Sequence, residues 1–279
     1  MIKSKTSTVE ELIVYGKSKV HSTQAKMLLA NLLNKNPLEL LNCLNEEIPL
    51  EVRQKYQKQL ELVNKKKPIQ YVIGNTNFYG NKFLVNEHTL IPRFETEELV
   101  EKTLYHIKKI FSDQTLKIID LGTGTGCIGI TLKKKLPNAE VTLVDINPNT
   151  LEVTKQNVRN LQTEVAIIQS DFWNQITQKY HVVISNPPYI KTTETIESIV
   201  KENEPHIALY AGEDGLDCYR KIISNLKEHL LFPYIVAFEI GCTQKEDITS
   251  LLKYHLPEAE IICYQDLQER DRMIIAYQK

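Results

Sequence analysis

The sequence predicts an α/β fold, in which a small N-terminal helical bundle precedes a doubly wound, mostly parallel sheet. Three observations carry this prediction. Gly16 is the only glycine before Gly74, and the first 66 residues have helical apolar spacing. Aromatic residues then flank a Gly-Asn pair, which is typical of a hairpin. From about Thr96 onward, short apolar runs alternate with helical stretches, which is the pattern of βα units.

Composition and charge limit the function classes. The 279 residues carry 34 Lys and Arg against 35 Asp and Glu, a net charge of −1, which argues against a wholesale nucleic-acid coat. Residues 1–70 hold 12 basic and 7 acidic side chains, whereas residues 71–279 hold 22 and 28. The first part is therefore mildly basic and suits an acidic partner.

The cysteines and the apolar segments indicate a cytoplasmic protein. The five cysteines are widely spaced without a Cys-x-x-Cys pair, so neither a zinc ribbon nor a disulfide framework is expected. The N-terminus has no apolar signal region, and no run approaches the roughly 18 apolar residues that a membrane span needs. We therefore expect neither secretion nor a membrane span.

The first domain is expected over residues 1–69 and consists of short amphipathic helices. Ser7 and Glu10 have the spacing of a capping box. A lysine run followed by Pro68 suits the end of the last helix. Two apolar stripes with helical spacing lie between them, Leu28, Leu29, Leu32 and Leu33, and then Ile48, Val52, Tyr56, Leu60 and Val63.

A β-hairpin linker is expected over residues 70–92, and a second domain over residues 93–279. Phe78 and Phe83 lie on either side of the turn dipeptide Gly80-Asn81. A helix opens near Thr96, and six apolar runs then indicate strands. These runs are Leu116–Ile119, Val141–Val144, Val165–Ile168, Val182–Ile184, Tyr234–Ile240 and Met273–Tyr277.

A loop with the pattern Gly-x-Gly-x-Gly follows the first of these strands. Gly122, Gly124 and Gly126 lie between that strand and a helix that runs to about Lys135. Glycine lets the backbone come close to a ligand, and the N-terminus of the helix presents free N–H groups. This arrangement predicts a nucleotide-type ligand at the carboxyl ends of the strands.

Two aspartates stand at the ends of the next two strands. Asp145, 19 residues after Gly126, is at the position from which a carboxylate bonds ribose hydroxyls. Asp171 can accept from an adenine amino group, with Phe172 or Trp173 covering the ring. Each aspartate could instead be a turn acid or a helix cap. With the glycine loop in place, we favour the ligand role for both.

The glycine spacing favours S-adenosylmethionine over a dinucleotide. A nicotinamide enzyme prefers Gly-x-Gly-x-x-Gly. Asp120 stands two residues before the first glycine of the loop, and we expect it to face a cationic part of the ligand. S-adenosylmethionine carries an ammonium group there, whereas the pyrophosphate of a dinucleotide would be repelled.

The tetrapeptide Asn186-Pro187-Pro188-Tyr189 follows the fourth strand. Its prolines make the backbone rigid and leave only carbonyl groups, Asn186 adds an amide, and Tyr189 adds a flat ring. Together they can hold a planar amino group, whose hydrogens donate to carbonyls and whose face stacks on the ring. The alternative is a proline-stiffened turn with a polar cap, which we disfavour at this edge of the sheet.

These residues resemble a known family. Asp120–Gly126 together with Asn186–Tyr189 resembles the amino-methyltransferases among the class I S-adenosylmethionine enzymes. Further segments look like the release factor glutamine methyltransferases, the PrmC/HemK family. They are Pro68–Gly74 with Phe78 and Gly80, Ile91–Glu97, Glu204-Pro205, Gly212–Leu216, Glu239–Gly241 with Gln244, and Asp271-Arg272. Two departures are Phe94 in place of a usual proline and the lack of a usual glycine in Leu267–Glu269.

The resemblance implies a seven-stranded, Rossmann-like methyltransferase domain and a reaction. The reaction moves a methyl group from S-adenosyl-L-methionine to the side-chain amide nitrogen (N5) of the glutamine in the Gly-Gly-Gln motif of peptide-chain release factors, and leaves S-adenosyl-L-homocysteine. It supports translation termination. No metal, membrane or stable nucleic-acid partner is implied. We expect a monomer in which the N-terminal domain binds the release factor.

The resemblance also implies the site residues. Catalysis falls to Asn186, Pro187 and Tyr189, and the substrate contacts are Asn186, Pro187, Pro188 and Tyr189. The cofactor contacts are Gly122, Thr123, Gly124, Thr125, Gly126, Asp145, Asp171, Phe172, Trp173 and Asn186.

Two rival functions stay open. A DNA or RNA methyltransferase would also hold an exocyclic amino group, but it needs a flipped base and a basic surface, whereas residues 71–279 are acidic overall. A non-catalytic sensor of S-adenosylmethionine would not need Asn186–Tyr189. A dehydrogenase is disfavoured by the glycine spacing and by Asp120.

Overall fold

The structure is a computed structural model that describes residues 7–112 and 114–279. Its helices are α1 (Val9–Lys17), α2 (Ser22–Leu32), α3 (Leu50–Asn64), α4 (Ile69–Ile73), α5 (Phe94–Ile110), α6 (Cys127–Lys135), α7 (Pro148–Asn160), α8 (Ser198–Asn203), α9 (Asp217–Ile223), α10 (Leu226–His229) and α11 (Lys245–His255). Its strands are β1 (Ser7–Thr8), β2 (Glu47–Ile48), β3 (Asn75–Phe78), β4 (Asn81–Leu84), β5 (Lys117–Leu121), β6 (Glu140–Asp145), β7 (Ala166–Gln169), β8 (Tyr180–Ser185), β9 (Leu230–Glu239), β10 (Glu260–Gln265) and β11 (Asp271–Gln278). The chain divides into two compact units.

The first unit comprises the described residues up to Asn75 together with Ser198–Asn203. The apolar faces of α1, α2 and α3 form its core, with Leu12, Leu28 and Tyr56 fully buried. The Tyr56 hydroxyl donates to the Ala25 carbonyl at 3.1 Å, which satisfies the one polar atom of that large side chain. The predicted helical bundle is confirmed.

The capping box lies one residue later than the sequence predicted. Ser7 pairs with Ile48 as part of the short β1–β2 ladder, so the first helix begins only at Val9. Thr8 is therefore the N-cap residue: its hydroxyl accepts from the Glu11 N–H at 3.3 Å, and Glu11 Oε2 accepts from the Thr8 N–H at 3.1 Å. The same ladder removes Ile48 from the predicted helical stripe.

The segment between the helices and the main sheet is only partly a hairpin. The predicted hairpin over residues 70–92 is confirmed for β3 and β4, but the residues before it form the short helix α4. Gly74 ends this helix in the left-handed region, with φ of +83°. The turn residues are Tyr79 and Gly80, both at positive φ, rather than Gly80 and Asn81.

The second unit, Thr76–Glu197 with Glu204–Lys279, contains the predicted doubly wound sheet. Its seven strands have the order β10-β11-β9-β8-β5-β6-β7. The neighbours from β9 to β7 are parallel, whereas β11 is antiparallel to both β9 and β10. The mostly parallel seven-stranded sheet is confirmed. β10 was absent from the six predicted apolar runs, although Ile261–Tyr264 within it is an apolar run of four residues.

Both faces of the sheet are covered. Successive strand residues point to opposite faces, so Ile118 joins one apolar core and Ile119 joins the other. Val182 and Val183 divide in the same way. Burial on two faces explains why these strands are continuous apolar runs rather than alternating patterns. Among the described residues we find no helix with the length and apolarity that crossing a bilayer requires.

Candidate active site

The strand order places a cavity at the carboxyl edge of the sheet. The chain winds outward from β5 through β6 to β7, and then returns to β8 on the other side of β5. Such a switch point opens a crevice at the carboxyl ends of the strands. A cavity of about 240 Å³ lies there. It is lined by the segments that follow four strands, namely Gly122–Thr125, Asp145-Ile146, Ser170–Phe172, and Asn186 with Pro188.

The glycine loop has backbone angles that favour glycine. Gly122, Gly124 and Gly126 have φ values of +70°, +56° and +83°. A Cβ atom on Gly124 would meet no atom within 4 Å, so this part of the loop borders open space. Gly126 is the N-cap residue of α6 and lies outside the lining. The loop can therefore approach a ligand through Gly122–Thr125.

Asp120 braces this loop through one of its two carboxylate oxygens, while the other, Oδ1, is buried without a hydrogen-bond partner among the described residues. Its side chain is fully buried and outside the cavity lining. Asp120 Oδ2 accepts from the Thr123 hydroxyl at 2.6 Å and from the Gly129 N–H at 3.0 Å. Burial raises the pKa of this carboxyl to about 7, against the lowering effect of those two hydrogen bonds.

Asp145 lies in the lining, as the sequence predicted from its place at the end of a strand. Its Oδ2 accepts from the Gly124 N–H and its Oδ1 from the Asn147 N–H, both at 3.0 Å. It therefore joins the glycine loop to the start of α7, and each oxygen keeps a lone pair for a ligand hydroxyl. Burial raises the pKa of Asp145 above its ordinary value.

The residues after β7 separate into two groups. Asp171 and Phe172 line the cavity, and Asp171 Oδ2 accepts from Lys221 Nζ at 3.0 Å. Trp173 lies outside the lining and is buried, with its indole N–H donating to the Ile222 carbonyl at 2.9 Å. Trp173 therefore packs in the core, and of these two aromatic rings only Phe172 lines the cavity.

Only two residues of the Asn-Pro-Pro-Tyr segment line the cavity. Asn186 and Pro188 line the cavity, whereas Pro187 and Tyr189 lie behind the lining. Tyr189 is anchored at both ends: its hydroxyl donates to Glu239 Oε1 at 3.4 Å, and its carbonyl accepts from the Gln244 side chain at 3.1 Å. Burial raises the pKa of Tyr189 far above its ordinary value, so the phenol stays a donor.

Several cavity residues were not singled out as site residues in the sequence. Arg93, Thr96 and Lys221 line the cavity, and Arg93 forms an ion pair with the buried Glu204. Glu204 Oε2 also accepts from the Ile91 N–H at 3.1 Å, which holds the loop before α5. The sequence could have indicated Thr96 as a site residue, because it lies at the start of a helix beside the sheet. Nothing in the sequence distinguishes Lys221 from the many other lysines.

The lining fits a nucleoside ligand such as that of S-adenosylmethionine. It offers backbone N–H groups beside open space at Gly124, a carboxylate at Asp145, and a second carboxylate with an aromatic ring at Asp171 and Phe172. These are the groups that contact the polar tail, the ribose and the adenine of nucleotide-type ligands. The observed donors and acceptors therefore match the predicted cofactor.

Family models match both parts of the chain. One described as "PrmC N-terminal domain" matches residues 17–74, and one described as "Methyltransferase small domain" matches residues 92–206. The release factor glutamine methyltransferase of Bacillus anthracis is 41% identical over 256 residues, which cover 90% of each chain. The protein of the same description from Streptococcus pneumoniae is 33% identical over 269 residues, covering 95% of this chain and 94% of the relative.

Solved structures show the same fold at low identity. The hMettl16 catalytic domain in complex with a 3′UTR hairpin superposes with a TM-score of 0.54 at 13% identity, covering 84% of each chain. A 16S rRNA methyltransferase of Thermus thermophilus in complex with AdoMet and guanosine gives 0.53 at 12% identity, covering 74% of this chain and 50% of that one. These structures show the Rossmann-like fold, and the family model together with the curated relatives identifies the class as S-adenosylmethionine-dependent methyltransferases.

The particular family follows from the curated relatives. Their identity extends over nine-tenths of the chain and includes both the N-terminal and the catalytic parts. The chain belongs to the release factor glutamine methyltransferases.

Proposed function

We propose that this protein methylates the side-chain amide nitrogen (N5) of the glutamine in the Gly-Gly-Gln motif of peptide-chain release factors, using S-adenosyl-L-methionine. One observation carries the proposal. Asn186 and Pro188 of the Asn-Pro-Pro-Tyr segment line the same cavity as the glycine loop Gly122–Thr125. Residues suited to an acceptor amino group and residues suited to the methyl donor therefore meet at one cavity.

The chemistry requires alignment more than a strong base. The glutamine nitrogen is a weak nucleophile because its lone pair is delocalised into the carbonyl group. S-adenosylmethionine supplies a methyl group on a positively charged sulfur. We assign to Asn186 Oδ1 and the Pro187 carbonyl the role of accepting the two amide hydrogens, while Tyr189 supports the amide plane. This alignment supplies several kcal/mol, and the acceptors stabilise the positive charge that develops on nitrogen.

The cofactor contacts are proposed from the lining. Gly122–Thr125 would hold the methionine end, Asp145 the ribose hydroxyls, and Asp171 with Phe172 the adenine. Gly126 supports this site by capping α6, and Trp173 by packing beneath it. These roles are supported by the positions of the side chains around the cavity.

The first unit is proposed to bind the release factor. Residues 1–70 carry a net positive charge, which suits an acidic protein surface. Leu38, Leu41 and Leu50 of this unit are 77%, 59% and 59% exposed, and exposed apolar side chains of this kind suit a protein partner. Residues 1–69 would then be the recognition domain, residues 70–92 a linker and residues 93–279 the catalytic domain.

We also propose that the enzyme acts as a cytoplasmic monomer without a metal ion and without a stable nucleic-acid partner. Displacement at a sulfonium methyl group needs no Lewis acid. The net charge of −1 supports a protein substrate over a polyanionic one.

A transfer assay tests the proposal. Purified protein and methyl-labelled S-adenosylmethionine are incubated with a release factor, with its Gly-Gly-Ala variant, or with duplex DNA, each with and without EDTA. We expect label on the wild-type release factor alone and an equal rate in EDTA. Label on DNA would replace the proposal with a nucleic-acid activity. Cofactor binding without transfer to any substrate would support a sensor.

A further inference from the structure

A buried carboxylate lies at the carboxyl end of β9, behind the cavity. Glu239 is 2% exposed and is outside the cavity lining. Arg272 acts on it electrostatically, although the Arg272 guanidinium is itself hydrogen-bonded to Asp266 and to the Ile240 carbonyl. A buried carboxylate of this kind costs free energy unless its oxygens are hydrogen-bonded. Its hydrogen bonds therefore show what it holds in place.

The Glu239 carboxylate is connected to Asn186 through one hydroxyl group. Glu239 Oε2 accepts from the Thr96 hydroxyl at 2.6 Å. Thr96 Oγ1 in turn accepts from Asn186 Nδ2 at 3.1 Å. Within the described ranges no donor is hydrogen-bonded to Asn186 Oδ1. The chain of hydrogen bonds thus leads from the interior of the sheet to a residue in the cavity lining.

The ionised carboxylate determines which group donates and which accepts in each of these hydrogen bonds. An ionised carboxylate can only accept hydrogen bonds, and a hydroxyl has one proton to donate. Thr96 gives that proton to Glu239, so its oxygen can only accept from the Asn186 amide. The amide must therefore present its nitrogen to Thr96 and leave its oxygen for another donor. The orientation of an asparagine amide, which electron density alone rarely decides, follows here from its partners.

We propose that Glu239 is a positioning residue for methyl transfer: through the Thr96 hydroxyl it holds the Asn186 amide with its oxygen free to accept the N–H of the substrate glutamine. This inference rests on the proposed function. The opposite orientation of Asn186 would present an N–H₂ group to the N–H₂ group of the substrate, which is a repulsive pairing of two donors.

Glu239 holds a second member of the same segment. Its other oxygen, Oε1, accepts from the Tyr189 hydroxyl at 3.4 Å. Gln244 fixes the other end of Tyr189 by donating to its carbonyl at 3.1 Å and to the Gly215 carbonyl at 3.0 Å. One carboxylate therefore orients both the amide and the aromatic ring that the proposed reaction uses.

Protonation of Glu239 would reverse the donor and acceptor roles along these hydrogen bonds. A protonated Glu239 can donate to Thr96, whose hydroxyl is then free to donate to Asn186 and to stabilise the flipped amide. Burial raises the pKa of Glu239 to about 7, while the Thr96 hydrogen bond and Arg272 lower it. The titratable and charged groups that face it are Glu95 on α5, Cys127 on α6, Tyr189 after β8, Tyr219 on α9 and Arg272 on β11. We expect kcat to fall as the pH decreases through about 7.

The test compares Glu239→Gln and Thr96→Val, alone and together, with saturating S-adenosylmethionine and release factor. We expect each single variant to lower kcat by roughly 10- to 100-fold, which is below the roughly 10²- to 10³-fold loss for a group that contacts the developing charge directly, because both residues act through Asn186. The double variant should lose little more, because both substitutions break the same chain. Thr96→Ser, which keeps the hydroxyl, should recover most of the rate lost in Thr96→Val. In Glu239→Gln, the decrease of kcat below about pH 7, which we call the acidic limb of its pH profile, should be absent.

Tyr219→Phe is the matched control. The Tyr219 hydroxyl donates to the main-chain carbonyl of Glu239 at 2.6 Å, so this variant disturbs the same residue without touching its carboxylate. We expect it to keep the wild-type kcat and its acidic limb, even if it melts at a lower temperature. Calorimetric titration with S-adenosylmethionine should give a similar dissociation constant for every variant.

The results separate failure of this inference from failure of the proposed function. Wild-type kcat in Glu239→Gln, a retained acidic limb, or additive losses in the double variant would overturn the positioning role. If Glu239→Gln fails to fold, the Thr96→Val and Thr96→Ser pair decides the matter alone, and equal rates in that pair would overturn the role. A wild-type enzyme that does not methylate glutamine overturns the proposed function instead.

Discussion

Three acidic residues at strand ends show what can be predicted about single residues. Asp120, Asp145 and Glu239 each end or nearly end an apolar strand, so the sequence places all three at one edge of the sheet. Their roles differ because their side chains point in different directions. Asp145 reaches the cavity, Asp120 holds the loop backbone, and Glu239 holds other side chains. Strand position is visible in the sequence, whereas side-chain direction depends on packing.

The two fully buried acids make stability depend on pH. Burial raises the pKa of Asp120 and of Glu239 to about 7. The folded state therefore holds these protons more tightly than the unfolded state does. The stabilisation that they provide is fully present below the unfolded pKa and is lost as the pH rises through about 7.

We predict that Glu239→Gln weakens this pH dependence. The quantity compared is the free energy of unfolding of the wild type minus that of the variant. This difference should decrease by up to about 3 kcal/mol between about pH 5 and about pH 8, because each unit of pKa shift corresponds to about 1.36 kcal/mol. Urea denaturation of both proteins at the two pH values measures it, because subtraction removes the contribution of groups that they share. A difference that is the same at both pH values would contradict the raised pKa.

At the scale of elements, hydrophobic periodicity predicted most of the fold. Each of the six predicted apolar runs overlaps a strand of the seven-stranded sheet, five of them in its parallel part and the last in the antiparallel β11. The edge strand β10 was missed, although its residues Ile261–Tyr264 form an apolar run as long as several of the others. The capping box was displaced by one residue because Ser7 pairs with the distant Ile48, and the hairpin turn lies one residue earlier than predicted, at Tyr79-Gly80.

The loop Leu267–Glu269 has a backbone conformation that favours glycine, although it contains none. The resemblance places a usual glycine in the segment Leu267–Glu269, which this chain lacks. Glu269 there has φ of +61°, in the left-handed region that glycine tolerates best. Asp266 compensates by accepting from the Gln268 N–H at 2.8 Å and the Arg270 N–H at 3.1 Å. The turn therefore keeps its shape without the glycine. At the other departure, Phe94 is the first residue of α5 and is 60% exposed.

The sequence predicted which loops form the candidate site better than it predicted which of their side chains face the cavity. Gly122–Thr125, Asp145, Phe172 and Asn186 all line the cavity, because each follows a parallel strand and such ends converge. Trp173 does not, since the chain turns into the core one residue after Phe172, which has φ of +47°. No periodicity in the sequence marks a change of direction at one residue.

At the scale of the whole molecule, the two units have different charges and proposed tasks. We predict that reversing three exposed lysines of the first unit weakens recognition of the release factor. The variant carries Lys17→Glu, Lys58→Glu and Lys65→Glu. The KM for an intact release factor should rise by roughly 10-fold at low salt, an effect that salt diminishes. The KM for a short Gly-Gly-Gln peptide and both kcat values should stay unchanged. Steady-state kinetics with the two substrates measures it.

A matched variant controls for net charge. Lys108→Glu, Lys109→Glu and Lys253→Glu make the same change on exposed residues of the second unit. We expect wild-type kinetics from this protein. Equal increases in KM for both triple variants would contradict a recognition role for the first unit and indicate a general charge effect.

The most direct test of the central claim is to locate the transferred methyl group. A release factor is modified by the wild type or by Asn186→Ala, whose binding of S-adenosylmethionine is confirmed by calorimetry, and the products are mapped by tandem mass spectrometry. We predict one methyl group on the side-chain amide nitrogen of the Gly-Gly-Gln glutamine, at a rate that falls by roughly 100-fold or more in Asn186→Ala. A methyl group on any other residue, or equal rates from the two proteins, would contradict it.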